Sequence, residues 1–179
     1  MAELTSKWQT GDTTAFEALF RQYQQLVFKT AYLITGTREE AEDVLQEVFV
    51  SVWRSRHTFD PDKGKLTTWL HRITVNKCLE RQRKKKLTSV SLERFDLPEA
   101  EASAGVPVDR AEQERLTAAM DVMDSKHRTV LVLRYFNELS YDEIAHTLGI
   151  PPGTVKSRIN QALKLLRGQF DLQHGKTRG

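Results

Sequence analysis

The stretch LSYDEIAHTLGIPPGTVKSRINQALKLLR, residues 139–167, constrains this chain more than any other part of it. Ser140 can cap a short helix that runs to Leu148, and Glu143 stands where a side chain reaches back to close a capping box. Gly149 ends that helix, since glycine takes the left-handed terminating conformation without a side-chain clash. Pro151, Pro152 and Gly153 enforce a turn, and Thr154 caps a second helix. A short helix, a tight turn and a second helix read as a helix-turn-helix. On the second helix Val155, Ile159, Ala162 and Leu166 recur at helical spacing and face inward, whereas Lys156, Ser157, Asn160, Gln161 and Lys164 face outward. That outer face has the donors that major-groove readout requires: lysine for guanine acceptors or phosphate, asparagine or glutamine for adenine. Arg158 lies to one side of the core stripe, placed for phosphate or a packing bridge, and the helix N-terminus adds amide donors. An ordinary helical hairpin has no need of the polar, basic outer face.

Charge matters only once it is divided along the chain. The 179 residues hold 27 Lys plus Arg against 24 Asp plus Glu, a formal charge of +3. Residues 1–60 carry −3, 61–86 carry +7, 87–109 carry −4, 110–149 carry −2 and 150–179 carry +5. Two basic blocks separated by acidic stretches suggest two contacts with a polyanion and a different role for the acidic parts. Solvated helix faces would give similar basic runs, so charge alone leaves both readings open. Residues 87–109, with Pro98, Gly105, Pro107 and many small or acidic residues, lack helical periodicity and read as a flexible acidic linker. At about 3.3 Å per extended residue such a linker reaches roughly 75 Å, or about two turns of duplex DNA.

The N-terminal half is helical by pattern. Phe16, Leu19, Phe20, Tyr23, Val27 and Ala31 form one amphipathic stripe after Thr13 and Thr14, ending near Gly36. Thr37 and Glu40 suggest a capping box for a second helix, on which Ala41, Val44, Leu45, Val48, Phe49, Val52 and Trp53 share one half. Asp43, Gln46, Glu47 and Arg54 share the other half, with Val50 among them as either a partner contact or an ordinary exposed valine. A third helix over 65–86 starts with a core stripe of Leu66, Trp69, Leu70 and Ile73, and past Asn76 is basic on every side. That suits phosphate neutralisation. Pro61 and Gly64 mark an ordered loop before it.

The run EEAEDVLQEVFVSVWR, the Pro/Gly loop and TWLHRITVNKCLERQRKKK together resemble region 2 of the extracytoplasmic-function (ECF) sigma factors of bacterial RNA polymerase. The helix-turn-helix segment resembles their region 4, whose pattern runs approximately LSYxEIAxxLGxPxGTVKSR. The two likenesses cover about 13–86 and 110–168, in family order. They imply that Asp43, Gln46, Glu47 and Val50 meet the β′ clamp coiled coil of core polymerase, with the β flap a further expected contact. They imply that loop 57–65, through His57, Asp60, Lys63 and Lys65, pockets a base of the melted -10 non-template strand, and that Arg72, Asn76, Lys77 and Arg81 line its path. Trp69 could stack on a base, but its place on the core stripe favours packing. Thr154, Lys156, Ser157, Arg158, Asn160, Gln161 and Lys164 become the contacts to the duplex -35 element. Gln161 stands where the family often has Arg, and Ser125 where it often has Pro.

The expected fold is therefore all-α: two small helical domains, 10–86 and 110–170, joined by the linker 87–109, with a disordered tail over 171–179. Within the second, RAEQERLTAAMDVM, KHRTVLVLRYF and YDEIAHTL carry helical patterning. The expected function is an alternative sigma factor, and the competing reading is a free-standing helix-turn-helix regulator, which has no reason to carry the region 2 pattern. No enzyme is expected. His57, His71 and Cys78 match no zinc spacing, and no phosphate-binding loop, dinucleotide fingerprint or nucleophile motif is present. No cofactor is implied. A lone Cys78 makes no internal disulfide and reads as a buried structural thiol rather than a redox sensor. The longest apolar-rich run, VFVSVW, is far short of the roughly 20 residues that cross a bilayer, and no signal peptide is expected. The bacterial cytoplasm is the expected location, with an anti-sigma factor as a further partner able to hold the protein at the membrane.

Overall fold

The computed structural model describes residues 2–88, 120 and 123–175, with side chains for 3–85, 120 and 123–168. The expected linker beyond Thr88, most of the helix expected over 110–123 and the last residues of the expected tail lie outside the described residues. The fold is all-α, with no strand among the described residues. Its helices are α1 (Ala2–Gln9), α2 (Thr13–Thr35), α3 (Arg38–Arg54), α4 (Leu66–Thr88), α5 (Ser125–Leu131), α6 (Tyr141–Leu148) and α7 (Pro152–Gly175). Helical backbone thus extends from 171 to Gly175, into the stretch expected as tail.

The amphipathic stripes pack as their spacing predicts. Leu19, Tyr23, Val27 and Ala31 of α2 are buried, as are Ala41, Val44, Val48, Phe49 and Val52 of α3. These helices and α4 pack pairwise into a three-helix unit. Asp12, rather than either threonine after it, caps α2: its carboxylate accepts from the amides of Thr14 and Ala15. Gly36 closes the helix at φ 87°, a left-handed conformation in which glycine carries no side-chain penalty. Thr37 caps α3 by accepting from the Glu40 amide at 3.3 Å, but the Glu40 carboxylate pairs with Lys85 on α4 at 2.9 Å. The expected box is therefore half made.

α1 carries Trp8 into the core, where it is fully buried against Phe59 and Trp69 at ring separations of 6.4 and 5.8 Å. Trp69 also meets Phe59 at 5.5 Å and packs against the core cluster, the role its stripe position indicated. One backbone atom ties three segments together. The Ile34 carbonyl, near the C-terminus of α2 where helical partners run out, accepts from Gln82 Nε2 on α4 at 3.2 Å and Arg128 Nη1 on α5 at 3.4 Å.

The two halves pack on each other. α6 lies on α4, and α5 with the following π-turn, Val132–Phe136, lies on α2. Asn137 at the end of that turn donates to Thr30 Oγ1 at 2.9 Å. One buried cluster runs continuously from Trp8 to Ile159, so the core is shared between the halves.

Candidate nucleic-acid interface

The helix-turn-helix is built from local rules. Ser140 Oγ accepts from the Glu143 amide at 3.2 Å and Glu143 Oε2 accepts from the Ser140 amide at 2.8 Å, completing the capping box. The Ser140 bonds, and after them the nearby Lys65 ammonium and the Thr68 hydroxyl, hold the Glu143 carboxyl below its usual range. Gly149 leaves α6 at φ 63° and ψ 37°, as expected of a helix-terminating glycine.

The start of α7 differs from expectation. Pro152 and Gly153 lie inside its first turn, and the Pro151 carbonyl accepts from the amides of Thr154 at 2.9 Å and Val155 at 3.2 Å. Thr154 therefore sits within the helix rather than capping it. The reason is that proline has no N–H to lose at a first helical position and its φ already suits the helix. Val155, Ile159 and Ala162 are buried and Leu166 is half-buried, while Lys156, Ser157, Asn160, Gln161 and Lys164 are exposed. Thr154 and Arg158 are half-buried at the edges of that face. Ser157 Oγ donates back to the Thr154 carbonyl at 3.0 Å. The surface needed to enter a major groove is thus assembled on one side of one helix.

The residues expected along a single strand fall into two groups. His57, Lys63, Lys65, Arg72 and Asn76 are exposed along the loop and the outer side of α4. Asp60, Lys77 and Arg81 are half-buried and engaged with acidic or basic neighbours. Asp60 pairs with Lys63 at 3.1 Å and accepts from the Asp62 amide at 3.0 Å, and these contacts hold its carboxyl below the usual range. Lys77 pairs with Glu80 at 3.2 Å. Arg81 pairs with Asp43 and Glu47, two of the α3 residues expected at the polymerase. On that same face Val50 is an apolar residue 49% exposed to solvent.

Two features escaped sequence reasoning. Arg128 is buried and donates through Nε to the Met120 carbonyl at 2.9 Å, besides its bond to Ile34. Asp124 caps α5, and His127 bridges it to Gln161. The D-x-x-H spacing at 124–127 was a legible signal for the cap, but Gln161 lies far along the chain. Elsewhere His71 is 3% exposed, and burial pushes its imidazole down to about 4 against an opposing pull from Glu143. Cys78 is fully buried, and burial pushes its thiol up to about 12. Among the described residues no group of three or more His, Cys, Asp or Glu could hold a metal ion, and no helix is long and apolar enough to cross a membrane.

A three-helix unit with a basic helix, packed on a helix-turn-helix with a polar outer face, is the architecture of a DNA-binding protein. Residues 19–88 match Sigma-70 region 2, and residues 113–166 match Sigma-70 region 4. The chain is 35% identical over 176 residues to the ECF RNA polymerase sigma factor SigW of Bacillus subtilis, covering 89% of this chain and 91% of that protein. It is also 35% identical over 165 residues to the ECF RNA polymerase sigma factor SigE of Mycolicibacterium smegmatis, covering 88% of this chain and 63% of that one. The sigma factor RpoE of Bartonella quintana, solved in complex with the anti-sigma factor NepR, shares the fold at a TM-score of 0.72 and 21% identity, covering 87% of this chain and 96% of that one. This chain belongs to the ECF sigma factors of the sigma-70 family.

Proposed function

We propose that the protein is an alternative sigma factor of ECF type, which binds core RNA polymerase and directs promoter-specific initiation through the -10 and -35 elements. The observation that carries this reading is the presence, in one chain, of both sigma regions in order, matched over 19–88 and 113–166. A free-standing regulator is not favoured, because a duplex reader alone accounts for α5–α7 and leaves the α2–α4 unit without a task.

In this reading Asp43, Gln46, Glu47 and Val50 on α3 meet the β′ clamp coiled coil, and the second half meets the β flap. Loop 57–65, with His57, Asp60, Lys63 and Lys65, pockets a base of the melted -10 non-template strand. Arg72, Asn76, Lys77 and Arg81 follow its backbone, as a basic track beside exposed bases does in single-strand binding. Thr154, Lys156, Ser157, Arg158, Asn160, Gln161 and Lys164 read the duplex -35 element. The working boundaries are 10–86 and 110–170, with 87–109 as the connecting segment. The protein acts as a non-catalytic subunit in the bacterial cytoplasm, needs no cofactor, and is held inactive by an anti-sigma factor. The RpoE–NepR pair supports that last partner by likeness of fold.

Purified chain mixed with core RNA polymerase is expected to give transcripts that start at defined promoters. Absence of transcripts, with tight operator binding by the chain alone, overturns the reading.

A further inference from the structure

Gln161 lies on the exposed side of α7, yet one end of its amide is tethered: its Oε1 is 2.9 Å from His127 Nε2 on α5. The other ring nitrogen, Nδ1, is 2.7 Å from Asp124 Oδ1. The same carboxylate oxygen accepts from the His127 amide at 3.1 Å as the cap of α5, so its position is set by the helix start. Burial alone would raise the Asp124 carboxyl, but the bonds from the His127 amide and ring and from Lys126 outweigh it and keep the group ionised. A carboxylate only accepts, so Nδ1 carries a proton toward it.

That leaves two states of the other ring nitrogen. In a neutral ring Nε2 has a lone pair, and the Gln161 amide must turn its NH₂ inward to donate to it. The carbonyl then faces out. In a protonated ring Nε2–H donates to Oε1, and the NH₂ faces out. The two arrangements differ by a half-turn about a terminal torsion that is broad and roughly two-fold.

We infer that the Asp124–His127 pair sets which end of the Gln161 amide faces DNA, and so acts as a positioning pair for base choice at the duplex reader. The inference rests on the -35 reading of α7 proposed above. A glutamine with both ends available grips adenine bidentately, whereas a tethered one offers a single function. An outward carbonyl selects the amino groups of adenine or cytosine. An outward NH₂ selects the acceptors of guanine, thymine or adenine N7 and finds none on cytosine. Among the described residues, three cations lie near the pair. Lys126 lies 3.4 Å from Asp124 on the same helix, and α7 presents Arg158 and Lys164 about one turn to either side of Gln161. On its other side α5 meets α2 through Arg128, which donates to the Ile34 carbonyl.

The test uses holoenzyme assembled from the full chain and core polymerase, in competition binding to promoter duplexes carrying each base in turn at every -35 position. His127→Phe keeps the ring volume but frees the Gln161 amide, and at one position the preference for adenine over each other base is expected to rise about fivefold as both ends become available for a bidentate grip. Asp124→Asn keeps a capping oxygen but holds the ring less firmly, and gives a smaller rise of the same sign. Gln161→Ala, at an exposed site, removes the base preference there, and adding His127→Phe to it then changes nothing. A purely structural role would weaken all duplexes alike and leave the ratio unmoved. Binding that depends on the -35 sequence but keeps one base ratio in the wild type and in His127→Phe overturns the inference alone. Wild-type binding with no -35 dependence overturns the duplex reading and the inference with it.

Discussion

Arg81 on α4 places its guanidinium 2.6 Å from the carboxylate of Asp43 on α3, and its second terminal nitrogen reaches Glu47 at 2.7 Å. A residue expected along the -10 strand thus holds two residues expected at the polymerase. All three side chains keep substantial exposure, 30% for Arg81, 49% for Asp43 and 43% for Glu47, so the contact orients them more than it stabilises the fold.

Reversing Asp43 and Glu47 to lysine is therefore expected to abolish core polymerase binding while leaving helicity intact, at a cost below about 1 kcal/mol per surface pair. Pull-down with core enzyme and circular dichroism read the two effects separately. Arg81→Gln divides its two roles: weaker core binding marks it as orienting the carboxylates, whereas defective promoter melting with normal core binding marks it as a strand contact.

Replacing Lys156 and Gln161 with alanine should weaken duplex -35 binding and spare core association, since both are exposed on α7 and neither belongs to the core. Footprinting of the holoenzyme measures it, and unaltered -35 protection would remove α7 from the readout.

The basic end of α4 gives a salt-dependence test. Neutralising Lys84, Lys85 and Lys86 is expected to lower the salt slope of promoter-complex formation by about 0.7 for each single-strand phosphate left without its cation. Lys85 already pairs with Glu40 at 2.9 Å, so Lys85→Gln alone should lower the slope by less than that amount. An unchanged slope for the triple variant would mean that the three lysines do not meet phosphate.

His71 makes stability pH-dependent. Its folded value near 4 lies below the usual 6.5, so the unfolded chain takes up the proton first as the pH falls. The contribution is complete above about pH 6.5 and is lost progressively toward about pH 4, reaching about 2 kcal/mol by about pH 5. Urea unfolding at the two ends of that window measures it, and His71→Leu should flatten the dependence.

Cys78, with its thiol pushed up to about 12 and no exposed surface, is expected to resist thiol reagents in the native protein and to react fully in denaturant. Rapid native labelling would restore a redox role.

Local rules made much of the molecule legible from the sequence. The stripes of α2 and α3, the Ser140–Glu143 box, the Gly36 and Gly149 terminations and the inward set of α7 depend on spacing within one or two turns, where sequence distance and spatial distance agree. Even the displaced start of α7 follows a local preference of proline, which here prevails over the capping signal of Thr154. Trp8 escaped because one aromatic in a short helix has no periodicity to display, and only its packing on Phe59 and Trp69 explains it.

Tertiary structure alone decided the rest. That Arg81 pairs with Asp43 and Glu47, that Gln82 and Arg128 share the Ile34 carbonyl, that Asn137 meets Thr30 and that His127 grips Gln161 are facts about residues 34 to 107 positions apart. The sequence by itself determined which helices form and which face of each is apolar, because backbone geometry repeats every few residues. Which polar side chain meets which required the helices to be docked, because a charge or an amide carries no mark of its distant partner until packing brings the two within hydrogen-bond reach.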